Sequence, residues 1–291
     1  MMQAGRKTMI GGFGTATLFM ALGTIGVSGA IGAPSTRSVG FWIEGASGEQ
    51  DRCSYEDIRE MSASAANVRL LGIEAGSGEL RVEGRQELDE IRVEARVCAS
   101  SQELLDELHV TLDESGGGAL TVVTHYPDRD GWRGAGRTAR IDLTVVMPRG
   151  LAVDIDDSSG AMTVSGTGAL RIDDSSGSIR VTEVSGDVRI DDTSGDLEVR
   201  DVVGDVEIDD SSGGLTVLDI EGDLRLRDGS GGIEVSGIDG SVLVDADGSG
   251  SIDVADVAGD FTVARDGSGS IRHRGVEGTV DIPARRRRGG E

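Results

Sequence analysis

The chain has 291 residues, of which 46 are glycine and only 3% are aromatic, and its formal net charge is −24. This composition is typical of many short strands and tight turns, and it excludes a helical bundle or a core built on large rings. So acidic a surface repels nucleic acid and anionic lipid headgroups, and we expect neither as a partner of the main body.

The N-terminal segment, residues 1–33, differs from the rest of the chain. Arg6 and Lys7 precede a long uncharged stretch that ends in small residues. This arrangement predicts a secretory signal that is cleaved after Ala30 or Ala33. An uncleaved membrane anchor is the alternative, since a span needs only about 20 apolar residues. We therefore expect an exported protein, located in the periplasm, the cell envelope or outside the cell, that touches a membrane only through this segment if it is uncleaved.

The two cysteines, Cys53 and Cys98, also bear on the compartment. An oxidising compartment would let them pair, and we predict one disulfide, which in the chain-entropy view stabilises the N-terminal part by about 3 to 4 kcal/mol. Two buried thiols are the alternative. A zinc site is not expected, because two cysteines and three scattered histidines, His109, His125 and His273, give no ligand spacing.

Residues 34–67 and 68–150 precede the most regular part of the chain. We expect the first to be an N-terminal segment or cap, and the second to be irregular first coils of the repeat structure. Asp113-Glu114-Ser115-Gly116 has the form of a turn that recurs later, and residues 141–145 alternate like a strand. Residues 102–108 are predicted to be a short helix that helps to cover the first coil.

Residues 151–283 form a repeat. The tetrapeptide Asp-(Ser/Thr/Gly)-Ser-Gly occurs seven times, and a second glycine follows each copy eight or nine residues later, so one unit has 17 to 19 residues. Such a period is typical of an array of stacked units. In the unit that begins at Gly186, charged residues alternate with Val188 and Ile190, then with Leu197 and Val199. Each unit therefore holds two half-buried strands.

Two topologies fit a unit in which each half holds one strand and one turn. The first is an antiparallel meander, and the second is a solenoid whose alternate strands build two facing parallel sheets. A meander would leave its apolar face without a covering helix. A membrane barrel needs strands of about 9 to 11 residues, roughly twice the length available. We therefore predict an all-β fold, a two-sheet parallel β-solenoid of about 18-residue coils, right-handed by the crossover rule, with an irregular N-terminal cap.

Stacking of the coils places the Asp of each repeated turn above the Asp of the next. In the structural interpretation, each Asp accepts hydrogen bonds from backbone N–H groups of its own turn, while Gly supplies the left-handed conformation. In the functional interpretation, cations such as Ca²⁺ bridge the column, although Ca²⁺ takes six to eight oxygen ligands and this turn differs from calcium-binding nonapeptides. The candidate metal ligands are Asp157, Asp174, Asp192, Asp210, Asp228, Asp247 and Asp266.

We expect no catalytic residues, and no cofactor unless calcium binds. Some β-helical proteins cleave polysaccharides with paired carboxylates. Repeated identical acids are nevertheless a scaffold pattern, whereas an active site should interrupt the repeat. The interruptions, such as His273 in place of an apolar residue and Arg227 or Arg265 in place of Asp, bring no partner acid or nucleophile. A polysaccharide-active enzyme is therefore a distant alternative.

Residues 284–291 form a basic tail that contains the run Arg285 to Arg288. We expect a solvated, disordered end; contact with an acidic envelope polymer or with the protein's own acidic body is the alternative.

The run Gly186 to Val199, GDVRIDDTSGDLEV, and the run Leu143 to Pro148, LTVVMP, resemble exported bacterial β-strand repeat proteins that are labelled putative adhesins, a domain of otherwise unknown function. The resemblance covers roughly Val68 to Pro283. It implies surface adhesion without defining a ligand, and it carries over no catalytic residues. The expected function is a non-enzymatic binding or scaffold module of the cell envelope or surface, with an unknown glycan or protein ligand. A calcium-binding acidic repeat protein is the main alternative.

Overall fold

The computed structural model describes residues 37–38, 53–127 and 138–283. The predictions for residues 1–33 and 284–291 lie outside these ranges. The described residues all belong to one compact unit. Within the described ranges, no helix is both long and apolar enough to cross a membrane.

Twenty-three strands and one short helix make up the described part of this unit. The strands are β1 Arg37–Ser38, β2 Tyr55–Ser64, β3 Leu70–Ser77, β4 Leu80–Arg85, β5 Glu90–Ala99, β6 His109–Ser115, β7 Ala119–His125, β8 Ala139–Pro148, β9 Ala152–Ser159, β10 Met162–Ser165, β11 Leu170–Asp174, β12 Ile179–Val184, β13 Val188–Asp192, β14 Leu197–Val203, β15 Val206–Asp210, β16 Leu215–Glu221, β17 Leu224–Asp228, β18 Ile233–Ile238, β19 Val242–Asp247, β20 Gly250–Val257, β21 Phe261–Val263, β22 Gly269–Val276 and β23 Val280–Asp281; the helix, α1, is Gln102–Glu107.

The strands form two sheets, as the repeat predicted. Sheet A has 12 strands in the order β1-β2-β5-β8-β4-β10-β12-β14-β16-β18-β20-β22, and sheet B has 11 in the order β23-β21-β19-β17-β15-β13-β11-β9-β3-β7-β6. From β9 onward the chain alternates between the sheets, and every strand pairs in parallel with the equivalent strand of the neighbouring coil. The all-β, two-sheet parallel β-solenoid with coils of about 18 residues is therefore confirmed.

Aliphatic side chains fill the space between the two sheets. The register places Val188 beside Val206 and Ile190 beside Ile208 in sheet B, and Leu197 beside Leu215 in sheet A. These residues are at most 2% exposed. Full burial of one such side chain is worth about 1.5 to 3 kcal/mol, so the repeated seam supplies the main stabilisation of the coils.

The glycine of each Asp-x-Ser-Gly turn is required by the stacking itself. Gly195 has φ of 145°, and a Cβ atom there would overlap the carbonyl group of Gly177 in the preceding coil. The same overlap recurs at Gly213 against Gly195 and at Gly231 against Gly213. The turns thus approach more closely than any side chain permits.

The N-terminal region adds antiparallel strands to the parallel array. In sheet A, β5 pairs antiparallel with both β2 and β8. Cys53 and Cys98 form the predicted disulfide, with a Cα–Cα distance of 5.4 Å, and fasten the start of β2 to β5. The predicted helix is present as α1, and Arg59 of β2 donates hydrogen bonds to the carbonyl oxygens of Leu105 and Leu108 at its C-terminal end.

One turn of this region differs from the prediction. Asp113 and Gly116 lie at the end of the antiparallel β6–β7 hairpin and not at a coil turn, although residues 113–116 resemble the tetrapeptide. Gly117 and Gly118 have φ of 89° and 82°, and two adjacent residues with positive φ reverse the chain too tightly for a coil corner. Asp113 is consequently exposed.

Candidate functional site

The aspartates of the repeated turns point between the sheets. In β13, Asp191 faces outward, whereas Asp192 faces inward and is only 4% exposed. The register sets Asp192 between Asp174 of one neighbouring coil and Asp210 of the other. The same alignment continues through all seven candidate ligands, which we call the inner column: Asp157, Asp174, Asp192, Asp210, Asp228, Asp247 and Asp266.

Carboxylates of the inner column accept backbone hydrogen bonds from their own turns. Ser212 N–H donates to Asp210 Oδ1 at 3.0 Å, and Ser230 N–H donates to Asp228 Oδ1 at 3.1 Å. The serine hydroxyl adds a bond between coils, because Ser212 Oγ donates to the Thr193 carbonyl oxygen at 3.2 Å. These are the bonds of the structural interpretation, in which the side chain closes the corner of the coil.

The second carboxylate oxygen of the inner column is buried without a hydrogen-bond partner. Among the described residues this is true of Oδ2 in Asp157, Asp174, Asp192, Asp210 and Asp228, and of both carboxylate oxygens of Asp247. An unpaired buried polar atom costs free energy, and an unpaired charge costs more. A proton on the carboxyl group or a bound cation would reduce that cost.

Burial shifts these carboxyl groups toward the protonated form. Burial, together with the charge of Asp174, raises the pKa of Asp157 to about 7. Burial likewise raises the pKa of Asp210 to about 6 and that of Asp228 to about 7. A carboxyl group that holds its proton near neutral pH can donate it to the next free oxygen along the column.

The geometry of the inner column limits the number of side-chain ligands available to a metal ion. Within residues 53–127 and 138–283, no three His, Cys, Asp or Glu side chains are grouped so that they could hold one metal ion. Neighbouring coils are about 4.8 Å apart. Because Ca²⁺ takes six to eight oxygens, water or backbone carbonyl groups would have to complete its shell. The calcium site stays a prediction.

A second set of aspartates, which sequence reasoning missed, joins the coils at their other turn. Asp187 Oδ1 accepts a hydrogen bond from Asp205 N–H of the next coil at 3.0 Å. Asp205 Oδ1 accepts from Asp223 N–H at 2.9 Å, and Asp223 Oδ1 accepts from Ser241 N–H at 2.8 Å. The signal was present in the sequence, because an Asp directly follows the second glycine in these units.

A groove runs along the outer face of sheet B and crosses six coils. We call it the sheet-B groove. It lies at the beginnings of β9, β11, β13, β15, β17 and β19, where one outward position recurs in every coil. That position is occupied in order by Asp154, Arg171, Arg189, Glu207, Arg225 and Leu243.

The arginines of the sheet-B groove are paired but accessible. Arg189 Nη1 lies 2.8 Å from Glu207 Oε2, and Arg225 Nε lies 2.7 Å from Asp245 Oδ2. Arg171 has only longer contacts, of which the nearest is 3.6 Å to Asp191. Exposed ion pairs of this kind contribute about 0 to 1 kcal/mol each. A ligand can therefore take over these guanidinium groups at little cost.

A second groove follows one corner of the coils and is acidic. Asp201, Asp219 and Asp256 line it with φ of 55°, 56° and 53°, a left-handed conformation that Asp tolerates better than most residues. None of the described residues that line it is basic. This corner attracts cations in general, as a negative concave surface does.

No protein-family model and no curated protein matches the chain. Among solved structures, a putative cell adhesion protein from Clostridium sporogenes ATCC 15579 is 11% identical with a TM-score of 0.29, covering 78% of this chain and 99% of that one. A putative adhesin from Parabacteroides distasonis ATCC 8503 is 15% identical with a TM-score of 0.32, covering 77% and 96%. A putative lipid binding protein from the same strain is 14% identical with a TM-score of 0.33, covering 78% and 96%. At these TM-scores the likeness carries no argument about function.

Proposed function

We propose that this protein is an exported, non-enzymatic β-solenoid that acts as an adhesin-like binding or scaffold module at the cell envelope or surface. The observation that carries the proposal is the sheet-B groove, which crosses six coils and presents one outward position in each. Solenoids use extended surfaces of this kind to bind their partners.

The arginines of the groove favour an extended ligand whose acidic groups fall at their positions, because acidic residues such as Asp187, Asp205 and Glu207 also line the groove and would repel a uniformly acidic ligand. Arg171 and Arg189 occupy equivalent positions in adjacent coils, about 4.8 Å apart along the stack. A guanidinium group presents planar donors that match a carboxylate. A glycan or protein segment that lies along the coils with acidic groups at matching intervals would meet these arginines in succession.

The position of the inner column supports a non-enzymatic role. A glycoside hydrolase needs two carboxyl groups that face its substrate, about 5 to 9.5 Å apart. Asp192 and Asp210 are 4% and 2% exposed and point between the sheets. A polysaccharide lying on the outer surface cannot reach them.

The disulfide supports export, because such bonds persist in oxidising compartments. Fractionation of cells that produce the full chain tests this part of the proposal. We expect the protein in the envelope or the medium, with Cys53 and Cys98 protected from thiol alkylation until a reductant is added. A reduced, cytoplasmic protein would contradict it.

Binding by the groove is tested with arrays of glycans and of envelope proteins. We expect the unmodified protein to retain an acidic ligand, and the double variant Arg171→Glu/Arg189→Glu to lose it. Arg180→Glu is the matched control, since Arg180 is an exposed arginine on sheet A whose partner is Glu198 at 2.9 Å. Equal loss in the control, or no loss in the double variant, would contradict a role for the groove.

A calcium-binding repeat rod is a second candidate. The free Oδ2 atoms of the inner column favour it, because they are buried oxygen ligands that lack partners. Calcium that binds only the folded state would raise the melting temperature relative to a chelator.

A further inference from the structure

The two ends of the solenoid differ in how they are covered. Near the N-terminal end, α1 packs Leu104 and Leu105 against the core, where they are 5% and 3% exposed. At the other end the sheets finish at β22 and β23, and no described strand pairs with the outer edge of either. Terminal units of a repeat array need a cap, because an open end exposes both core side chains and a strand edge.

The last coil leaves apolar side chains of the core row partly exposed. Ile271 and Val276 of β22 and Val280 of β23 are only half-buried. Ile282 is 36% exposed. Their counterparts one coil earlier in the register are at most 1% exposed, namely Ile252, Val257 and Phe261. A surface that covered this row would gain the free energy of apolar burial that every earlier coil already has.

The same end also has an open backbone edge along β22. In earlier coils the residue equivalent to Ile271 donates its N–H to the next coil, as Leu215 does to the Gly232 carbonyl oxygen at 2.9 Å. Within the described residues no further coil follows Ile271. Because alternate residues of a parallel strand face the same neighbour, the backbone of His273 faces this edge as well. The edge strand is eight residues long and can pair with another strand.

This end is neutral, although the chain as a whole is strongly acidic. Residues 259–277 contain three acidic residues and three arginines, whereas residues 240–258 contain four acidic residues and no basic one. The formal charge of the whole chain is −24. Two copies can therefore approach through the last coil without the repulsion that their acidic coils would impose.

We propose that the open end is a homodimer interface, in which β22 pairs antiparallel with β22 of a second copy across a two-fold axis. A partner for this end must offer a free strand edge and an apolar row at the same separation of the sheets. The same end of a second copy offers both, and it is neutral too. Such an isologous contact closes at two copies and leaves no further open edge to extend.

Side-chain orientation and charge determine the register of this pairing. Inward side chains must meet inward ones, since a shift by one residue exchanges the two faces of a strand. A two-fold axis at Arg272, His273 or Arg274 would set arginines opposite each other, which is destabilising. Among the other positions, an axis at Ile271 pairs most of the strand. It sets Ile271 against Ile271 of the partner subunit, and Arg272 against Ser270 of the partner subunit.

The dimer would have a consequence for the sheet-B groove. A two-fold axis normal to the sheets keeps sheet B of both copies on the same side, so the two grooves follow one another across the interface. A ligand long enough to reach both would gain avidity. This consequence rests on the proposed function, whereas association of the two copies does not. Loss of the dimer would leave ligand binding by each single groove intact.

Sedimentation velocity of the purified protein over a range of concentrations tests the interface. We expect a reversible dimer and no larger species. Ile271→Glu should make the protein monomeric, because it sets two carboxylates against each other on the two-fold axis. Val203→Glu is its control and should still dimerise, since Val203 is an apolar residue, 54% exposed, on β14 in the middle of the stack.

A second pair of variants tests the register on the surface of sheet A. Ser270→Arg should raise the Kd of the dimer about 5-fold, because it faces Arg272 of the partner subunit twice in each dimer, and Ser270→Glu should lower it. Ser251→Arg is the matched control, since Ser251 is the equivalent residue one coil earlier and lies away from the interface. Melting temperatures show whether each variant is folded.

Three results would overturn the proposal. One is an unmodified protein that stays monomeric, including one that dimerises only after residues 284–291 are removed, because the chain's own tail would then cover the end. Another is growth beyond two copies, which would indicate contact between unlike ends. The third is a dimer that both Ile271→Glu and Ser270→Arg leave unchanged, since its interface would lie elsewhere.

Discussion

The regular coils and the N-terminal region are held together in different ways. In residues 151–283, each coil repeats the same inward carboxylate, the same close glycine contact and the same aliphatic seam. In residues 53–127 and 138–150, β3 and β4 continue the parallel stack, and antiparallel strands, a helix and one disulfide are added to it once each. The coils depend on features shared with their neighbours, whereas these added elements are held by single contacts.

This difference determines how much of the molecule a single substitution should destabilise. A repeat array is stabilised by its nearest-neighbour interfaces, so a defect in one interface weakens the stack on both sides of it. A defect in the N-terminal region removes one local contact. The following changes test this contrast, beginning with the largest expected effect.

Gly195→Ala should destabilise the protein by about 4 kcal/mol or more. The new Cβ atom would overlap the Gly177 carbonyl group, and alanine disfavours φ of 145°. Gly116→Ala is the matched control in the β6–β7 hairpin, because a Cβ atom there meets no atom within 4 Å. Urea unfolding should show a large loss for the first and almost none for the second. Equal losses would contradict the stacking argument.

Removal of the disulfide should have a smaller and more local effect. The double variant Cys53→Ala/Cys98→Ala opens a link that spans 45 residues and should cost about 3 to 4 kcal/mol. Hydrogen exchange should become faster in β2 and β5 and stay unchanged in β13 to β18. Faster exchange throughout the solenoid would show that the N-terminal region and the coils unfold as one unit.

Much of the coil architecture was predictable because local pattern and global packing agree there. Alternation at Val188 and Ile190 predicts a strand, and the constant period predicts that the coils stack. Stacking in turn aligns the aspartates of the inner column. The sequence also predicted the disulfide and the helix after Cys98. Each of these features follows from residues near one another in the sequence or from exact repetition.

The remaining features depend on pairing over longer distances. His109 and His125 meet only because the glycines at 116–118 reverse the chain midway between them, and the tetrapeptide at Asp113 indicated a coil turn instead. Asp187 and Asp205 each follow a glycine, and this position indicates a role in the turn. Their acceptor role could not be predicted from it, because the N–H group that donates to each belongs to the next coil.

The inner column should make the regular coils more stable at pH 5 than at pH 8. Asp157 and Asp228 have pKa values of about 7, and Asp210 about 6, against a usual value of 3.8. The folded state therefore binds more protons between about pH 4 and 7, and stability falls as the pH rises through that window. Asp210→Asn should make the free energy of unfolding depend less on pH, and should raise it by about 1 kcal/mol at pH 8.

Asp156→Asn is the control for that measurement, because Asp156 is the outward-facing neighbour of Asp157. Thermal melts of both variants between pH 4 and 8 provide the comparison. If Asp156→Asn flattened the slope as much as Asp210→Asn does, surface charge and not the inner column would account for it.

The central claim is that the aspartates of the repeat are inner corners of the coil, completed by backbone N–H groups and by protons. Melting the unmodified protein and Asp210→Asn at pH 8, each with calcium and with a chelator, tests it most directly. We predict the same midpoint with calcium and with chelator, and a higher midpoint for Asp210→Asn in both. A rise with calcium that Asp210→Asn abolishes would contradict the claim and establish the column as a metal site.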